Sequence, residues 1–226
     1  MYDGQIEALE SIRVYLKKQN EKYVIMTDSN VAVNFDFNDL LHAHMASGAD
    51  ATVVYRKQEI PDSLIRQSTE TVDMYYALGI NGDHVSKIYV NPTEKGKMNF
   101  CLNIYVMERE RLIRMIDDAY VHGYTNFVRD ILERQIEHLD VRGYCYDGYV
   151  AQIHDMKSYF EENMKLLQEE NLNALFSGNQ IYTKIRDDNP TRYINGSKAK
   201  NIMVADGCVI EGEVENSVLF RGVGIG

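Results

Sequence analysis

Two rhythms of apolar residues organise the first quarter of the chain. Ile6, Leu9, Ile12 and Leu16 recur at helical spacing, so a helix is expected from Asp3-Gly4 to Lys17-Lys18-Gln19-Asn20, where cations suit a helix C-terminus. The run Tyr23, Val24, Ile25 and Met26 predicts a strand buried on both faces, cut off by Thr27-Asp28-Ser29-Asn30. Residues 36–45 read as a second helix stopped by Ser47-Gly48, and 51–55 as a second buried strand. Strand, helix, strand predicts a parallel βαβ unit.

From residue 72 the pattern changes. Two β-rich runs, 72–80 and 84–91, flank Asn81-Gly82-Asp83, where Asn-Gly can supply the positive φ of a hairpin. Residues 100–107 predict another strand, 108–119 and 127–139 helices, 144–153 a last strand, and the sheet is therefore expected to be mixed. A long amphipathic helix is expected over 156–175, with Tyr159, Phe160, Met164 and Leu167 at core spacing. Turn residues fill 184–197, which reads as a linker. Beyond it, "NIMVADGCVIEG" from Asn201 and "NSVLFRGVGIG" from Asn216 superpose at an offset of fifteen, matching Gly207 with Gly222 and Ile210 with Ile225. Short apolar steps at that period predict rungs of a parallel β-helix, and a solenoid ending in an uncapped rung suggests a piece of a longer protein.

Composition narrows the function classes. With 226 residues, 45% of them hydrophobic, the chain can bury a sizeable core. Its apolar runs are too short for a membrane span and no signal peptide opens it, so a cytoplasmic location is expected. A net charge of −10 argues against nucleic acid or an anionic membrane as partner. Cys101, Cys145 and Cys208 have no metal or redox spacing and are expected to be reduced core thiols. Asp28, one residue past a strand, is placed either to hold a metal ion or to shape a turn. His42 and His44, two apart on a helix, face different ways and read as solvated or capping residues. His154 beside Asp155 lacks a nucleophile string, the clustered tyrosines (Tyr75, Tyr76, Tyr144, Tyr146, Tyr149) read as sheet faces, and 211–215 as a solvated corner.

The strings "YDGQIEAL" from Tyr2, "YVIMTDSNVAVNFDFNDLLHAHMASGADATVVY" from Tyr23, "NIYVMERERL" from Asn103, "YCYDGYVAQIHDMKSYFEENMKLL" from Tyr144 and "ADGCVIEGEVENSVLFRGVGIG" from Ala205 carry a resemblance. In this order and spacing the chain resembles the bacterial glucose-1-phosphate adenylyltransferases (ADP-glucose pyrophosphorylases), and among them the GlgD-type subunits. The resemblance implies an α/β fold with a mixed, mostly parallel sheet of the nucleotide-diphospho-sugar transferase type, incomplete here, then the start of a left-handed parallel β-helix. It implies domains at 1–178 and 201–226 with a linker at 179–200. The glycine-rich nucleotide loop of such enzymes lies upstream of this chain's first residue.

What the resemblance implies about activity is read position by position. Where these enzymes carry "WYxGTADA", Gly4 is kept and Gln5 and Ile6 replace Thr-Ala. Asp28 matches the first metal-binding carboxylate, as a vestigial ligand. The second, in a "DVGT" string, is matched by Gln152, and a neutral amide holds Mg²⁺ poorly. The lysine of "EKP" becomes Asn91, the glycine of "SMGIY" becomes Asn103, and the acid of "DFG" becomes Asn126. No catalytic residue is expected, and these degenerate nucleotide and sugar-phosphate positions imply a non-catalytic or regulatory subunit that pairs with a catalytic homologue in a hetero-tetramer. One alternative is an active nucleotidyltransferase using Mg²⁺ on Asp28 and a repositioned acid such as Asp155. A further alternative is a subunit that binds a sugar phosphate or nucleotide as effector.

Overall fold

A computed structural model describes residues 4–61, 64, 75–94, 96–184 and 186–226. The chain gathers into two compact units, Met1–Ser29 with Asp36–Asp147, and Asn30–Phe35 with Gly148–Gly226.

The first unit opens with α1 (Gln5–Ser11) and α2 (Arg13–Lys18), two short helices broken at Ile12 where one continuous helix is expected. Then come β1 (Tyr23–Thr27), α3 (Phe37–Ser47), β3 (Ala51–Glu59), the hairpin β4 (Tyr76–Asn81) and β5 (His84–Val90), and β6 (Lys97–Glu108). Between β1 and α3 the chain contributes β2 (Val31–Val33) to the second unit. Next are α4 (Arg109–Val121), a π-helical turn (Val128–Glu133) and β7 (Val141–Cys145). The sheet is mixed and six-stranded, in the order β1-β6-β3-β7-β5-β4.

Three expectations about this sheet are corrected. β1 and β3 run the same way, but the antiparallel β6 lies between them, so the βαβ unit is not a directly paired one. The sheet is also not mostly parallel, because among its described pairings only β3–β7 is parallel. A composition of buried strands does not say which strand inserts between two others. β1 is half-buried rather than buried on both faces, since it forms the sheet edge and pairs with β6 alone among the described residues. The hairpin forms as expected over its described part, with Gly82 at φ +67 in a two-residue loop between Asn81 and His84; Val72, Asp73 and Met74 of the expected run lie outside the described residues.

The core of this unit joins sheet residues such as Val53, Tyr105 and Val141 to Ile6 and Leu16 of α1 and α2 and to Leu112, Ile113 and Ile116 of α4. That burial is the main favourable contribution to the fold. Where a helix is expected over 127–139, the π-helical turn is followed by irregular turns, and Asp130 Oδ2 accepts from the Thr125 and Asn126 N–H groups that precede it. His44 is not solvated: it is 2% exposed, with Nδ1 2.8 Å from Thr52 Oγ1 and its ring edge-on to Tyr23. Its carbonyl accepts the N–H of Gly48, which ends α3 at φ +65. Cys101 and Cys208 are buried thiols, but Cys145 is exposed.

In the second unit β2 pairs antiparallel with β8 (Val150–Gln152). The strand expected over 144–153 is thus two strands, β7 and β8, separated by Asp147-Gly148, a dipeptide that signals a turn. The long helix expected over 156–175 is likewise two, α5 (Met156–Lys165) and α6 (Glu169–Phe176). Leu166, Leu167 and Gln168 each donate to the carbonyl three residues back, tightening the last turn and ending α5. Phe160 stays 63% exposed instead of entering a core, whereas Tyr159 stacks on Phe220, ring centroids 6.2 Å apart.

Five short strands follow: β9 (Arg192–Tyr193), β10 (Lys198–Val204), β11 (Val209–Ile210), β12 (Glu213–Leu219) and β13 (Gly224–Ile225). β10 pairs with β12 in parallel, Lys198 opposite Glu213, and β11 pairs in parallel with both β9 and β13. The fifteen-residue repeat is therefore realised as parallel stacking, and β9 lies within the stretch expected as linker. Glu213 and Glu215 are solvated as expected, but they are strand residues paired with Lys198 and Lys200 rather than members of a corner.

Candidate functional site

The candidate site of the first unit lies where β1 and β6 meet the start of α1. Opposite Asp28, strand β6 carries two more residues than β3 does between the pairs Val53–Tyr105 and Tyr55–Cys101. This bulge holds Asn103 at φ +55, a left-handed conformation that Asn tolerates better than most residues. The bulge turns Asn103 toward β1. Its carbonyl accepts from the Asp28 N–H at 3.3 Å, and its Nδ2 donates to Asp28 Oδ2 at 2.6 Å. Asn103 Oδ1 accepts from the Tyr105 hydroxyl at 2.9 Å and from the Cys101 thiol at 3.5 Å.

A cavity of about 200 Å³ opens beside this cluster, with Leu9, Met26 and Phe127 as apolar walls and Gln5, Asp28 and Asn103 at its polar end. Burial pushes the Asp28 carboxyl above its ordinary range, and hydrogen bonds from Asn103 and Gln5 oppose that shift in part. Asp28 is the only carboxylate among the described residues lining the cavity. Among all described residues no group of three or more His, Cys, Asp or Glu side chains is arranged to hold a metal ion. A single carboxyl, shifted toward its neutral form and already bonded to a carboxamide, does not match the oxygen-rich octahedral set that Mg²⁺ takes.

The other positions singled out by the sequence are engaged in holding the chain together. A Cβ on Gly4 would stand 2.4 Å from the Thr125 carbonyl oxygen, so glycine there allows the start of α1 to meet the 125 loop, and Ile6 N–H donates to the same oxygen. Asn91, at φ +47, exchanges backbone and side-chain bonds with Tyr75, accepting from the Tyr75 N–H at Oδ1 at 2.9 Å. Asn126 Oδ1 accepts from the Tyr76 hydroxyl at 3.0 Å and from the Arg129 N–H at 2.8 Å. In the second unit Gln152 sits opposite Val31 at the end of β8. Asp155 caps α5 in a reciprocal box: its Oδ1 accepts from Ser158 N–H at 2.6 Å, and Ser158 Oγ accepts from the Asp155 N–H at 2.9 Å. The bond from the Ser158 N–H, with a smaller contribution from the Ser158 side chain, holds the Asp155 carboxyl below its ordinary range.

Within the first unit, the structure brings together Asp28 and Asn103, with Gln5 beside them, while Asn91 and Asn126 each bond elsewhere. Sequence reasoning did not anticipate Tyr105 and Cys101 behind Asn103. Their alternation with Asn103 along one strand was the available signal, and the bulge that makes use of it left none.

No family model matches the chain. Glycogen biosynthesis protein GlgD of Bacillus subtilis (strain 168) is 28% identical over 213 residues, which are 94% of this chain and 50% of that protein. Glucose-1-phosphate adenylyltransferase of Geobacillus stearothermophilus is 27% identical over 230 residues, covering 100% of this chain and 57% of the relative. The chain is similar to GlgD and to the glucose-1-phosphate adenylyltransferases. GlgD of Geobacillus stearothermophilus, 30% identical over 94% of this chain and 50% of its own length, agrees. The chain spans about half the length of these relatives. Among the described residues no helix is long and apolar enough to cross a membrane.

Proposed function

We propose that this chain is part of a GlgD-type subunit of glycogen biosynthesis, a non-catalytic or regulatory partner of a catalytic glucose-1-phosphate adenylyltransferase homologue in a cytoplasmic hetero-tetramer. On this reading the partner joins ATP to glucose 1-phosphate, and this subunit contributes fold, contacts and modulation. β9 to β13 are the first turns of its left-handed β-helix.

One observation carries the reading. Asn91, Asn103 and Asn126, at the three positions where the resemblance implies ligand-facing residues, all spend side-chain hydrogen bonds within the protein. Phosphoryl transfer depends on positioned charge around the phosphates, and amides bonded internally supply none. Asp155, the acid that an active alternative would recruit, has its carboxylate in a helix cap.

The test is an ADP-glucose synthesis assay on the full-length protein, alone and mixed with the catalytic homologue. No product alone and a higher rate or affinity in the mixture are expected. Turnover by the isolated full-length protein near that of the homologue overturns the reading. The cavity beside Asp28 favours a second reading, binding of an effector. It is tested by thermal shift with sugar phosphates and nucleotides, because a ligand specific for the native state raises its melting temperature.

A further inference from the structure

We propose that Asn103 is an internal plug: its carboxamide occupies the polar end of the cavity, takes the Asp28 oxygen that an entering donor would use, and seals the Cys101 thiol from the cavity. The inference stands on this geometry and does not depend on the function proposed above.

Three features of Asn103 support it. The residue is held left-handed in a bulge, at φ +55, so its side chain leaves the strand's regular alternation and reaches across to β1. Both ends of the carboxamide are used, Nδ2 by Asp28 and Oδ1 by Tyr105, which fixes the plane of the group. Behind it the Cys101 thiol is 2% exposed and lies within 3.5 Å of both Asn103 Oδ1 and the Tyr105 hydroxyl, while the cavity itself is lined by Asn103 and Tyr105 on the near side. Glycine adopts the same φ at no steric cost and would remove the carboxamide that stands between the cavity and the thiol, leaving only the backbone N–H that donates to Cys101 Sγ at 3.4 Å.

The protein carries its own controls for a test by thiol labelling. Cys145 is exposed, and Cys208, in the second unit, is buried. Methyl methanethiosulfonate, small and uncharged, is applied to the native chain at pH 8.5 and each cysteine is followed by peptide mass. In the unaltered chain Cys145 reacts and Cys101 and Cys208 are protected. Burial pushes the Cys101 thiol up to about 11, which slows it further. In Asn103→Gly, Cys101 is expected to react at least tenfold faster, with Cys208 still protected and the rate unchanged by dilute urea. Protection of Cys101 equal to that in the unaltered chain overturns the plug. If Cys101 and Cys208 open together as urea rises, the variant is unfolding, and Asp28→Ala decides. It leaves the bulge backbone alone but removes the carboxamide's anchor, so Cys101 labelling should rise at least threefold; no rise overturns the proposal.

Discussion

The imidazole of His44 lies 2.8 Å from the Thr52 hydroxyl, joining the last turn of α3 to β3 inside the protein. Burial holds this imidazole below its ordinary range, with Glu108 opposing the shift and Lys22 adding to it. The unfolded chain takes up a proton at His44 near pH 6.5, before the folded chain does. The stability this depressed value carries is therefore intact above about pH 6.5 and is lost as pH falls toward the folded value. Thermal melts at pH 7.5 and 5.5 should show a larger drop for the unaltered chain than for His44→Gln, whose amide can still reach Thr52. Equal drops would remove His44 from the explanation.

Asp130 is tied to the Arg129 guanidinium and to the N–H groups of Thr125 and Asn126, and these hold its carboxyl far below the ordinary range, Arg129 first among them. Asp130→Asn leaves N–H groups short of a charged acceptor and should cost about 1–3 kcal/mol at pH 7 in urea unfolding. The sign follows the depressed value: the contribution is present above the unfolded value of about 3.9 and fades as pH falls below it. The gap between variant and unaltered chain should accordingly shrink on acidification.

Gly4 faces the Thr125 carbonyl so closely that a methyl group has nowhere to go. Gly4→Ala must push α1 away from the 125 loop, at a cost of about 1–3 kcal/mol. Amide exchange locates the effect. The Ile6 N–H, bonded to Thr125 O, should lose protection, while amides of β3 keep theirs.

The stacked strands make a fourth, separable prediction. Asn201 and Asn216 both sit left-handed, at φ +49 and +50, and Asn201 Nδ2 donates to Asn216 Oδ1 at 2.7 Å across the repeat. Asn216→Ala loses the bond and strains the backbone, about 1–2 kcal/mol, whereas Asn216→Gly loses the bond alone and should cost less. Melting temperatures of the two variants decide the order.

Much of the chain's local structure could be read from apolar spacing and turn residues. α3 with its Gly48 stop, the hairpin around Gly82 and the fifteen-residue repeat follow from local chemistry, and each is where the spacing puts it. The insertion of β6 between β1 and β3 is a long-range choice with no local mark, and so is the burial of His44. The Asp147-Gly148 break was marked in the sequence, but the apolar residues on both sides outweighed it. At the candidate site, Asp28 and Asn103 were visible as positions. That one binds the other depends on a bulge, and a bulge is set by how two strands misalign.

β1 offers a last consequence. Among the described residues, its five-residue backbone spends one row of donors and acceptors on β6 and leaves the opposite row facing outward. Such a margin is a template. Among the described residues, an extended segment laid along Tyr23–Thr27, from the same polypeptide or a neighbouring one, would gain a ladder without displacing any bond that β1 now makes.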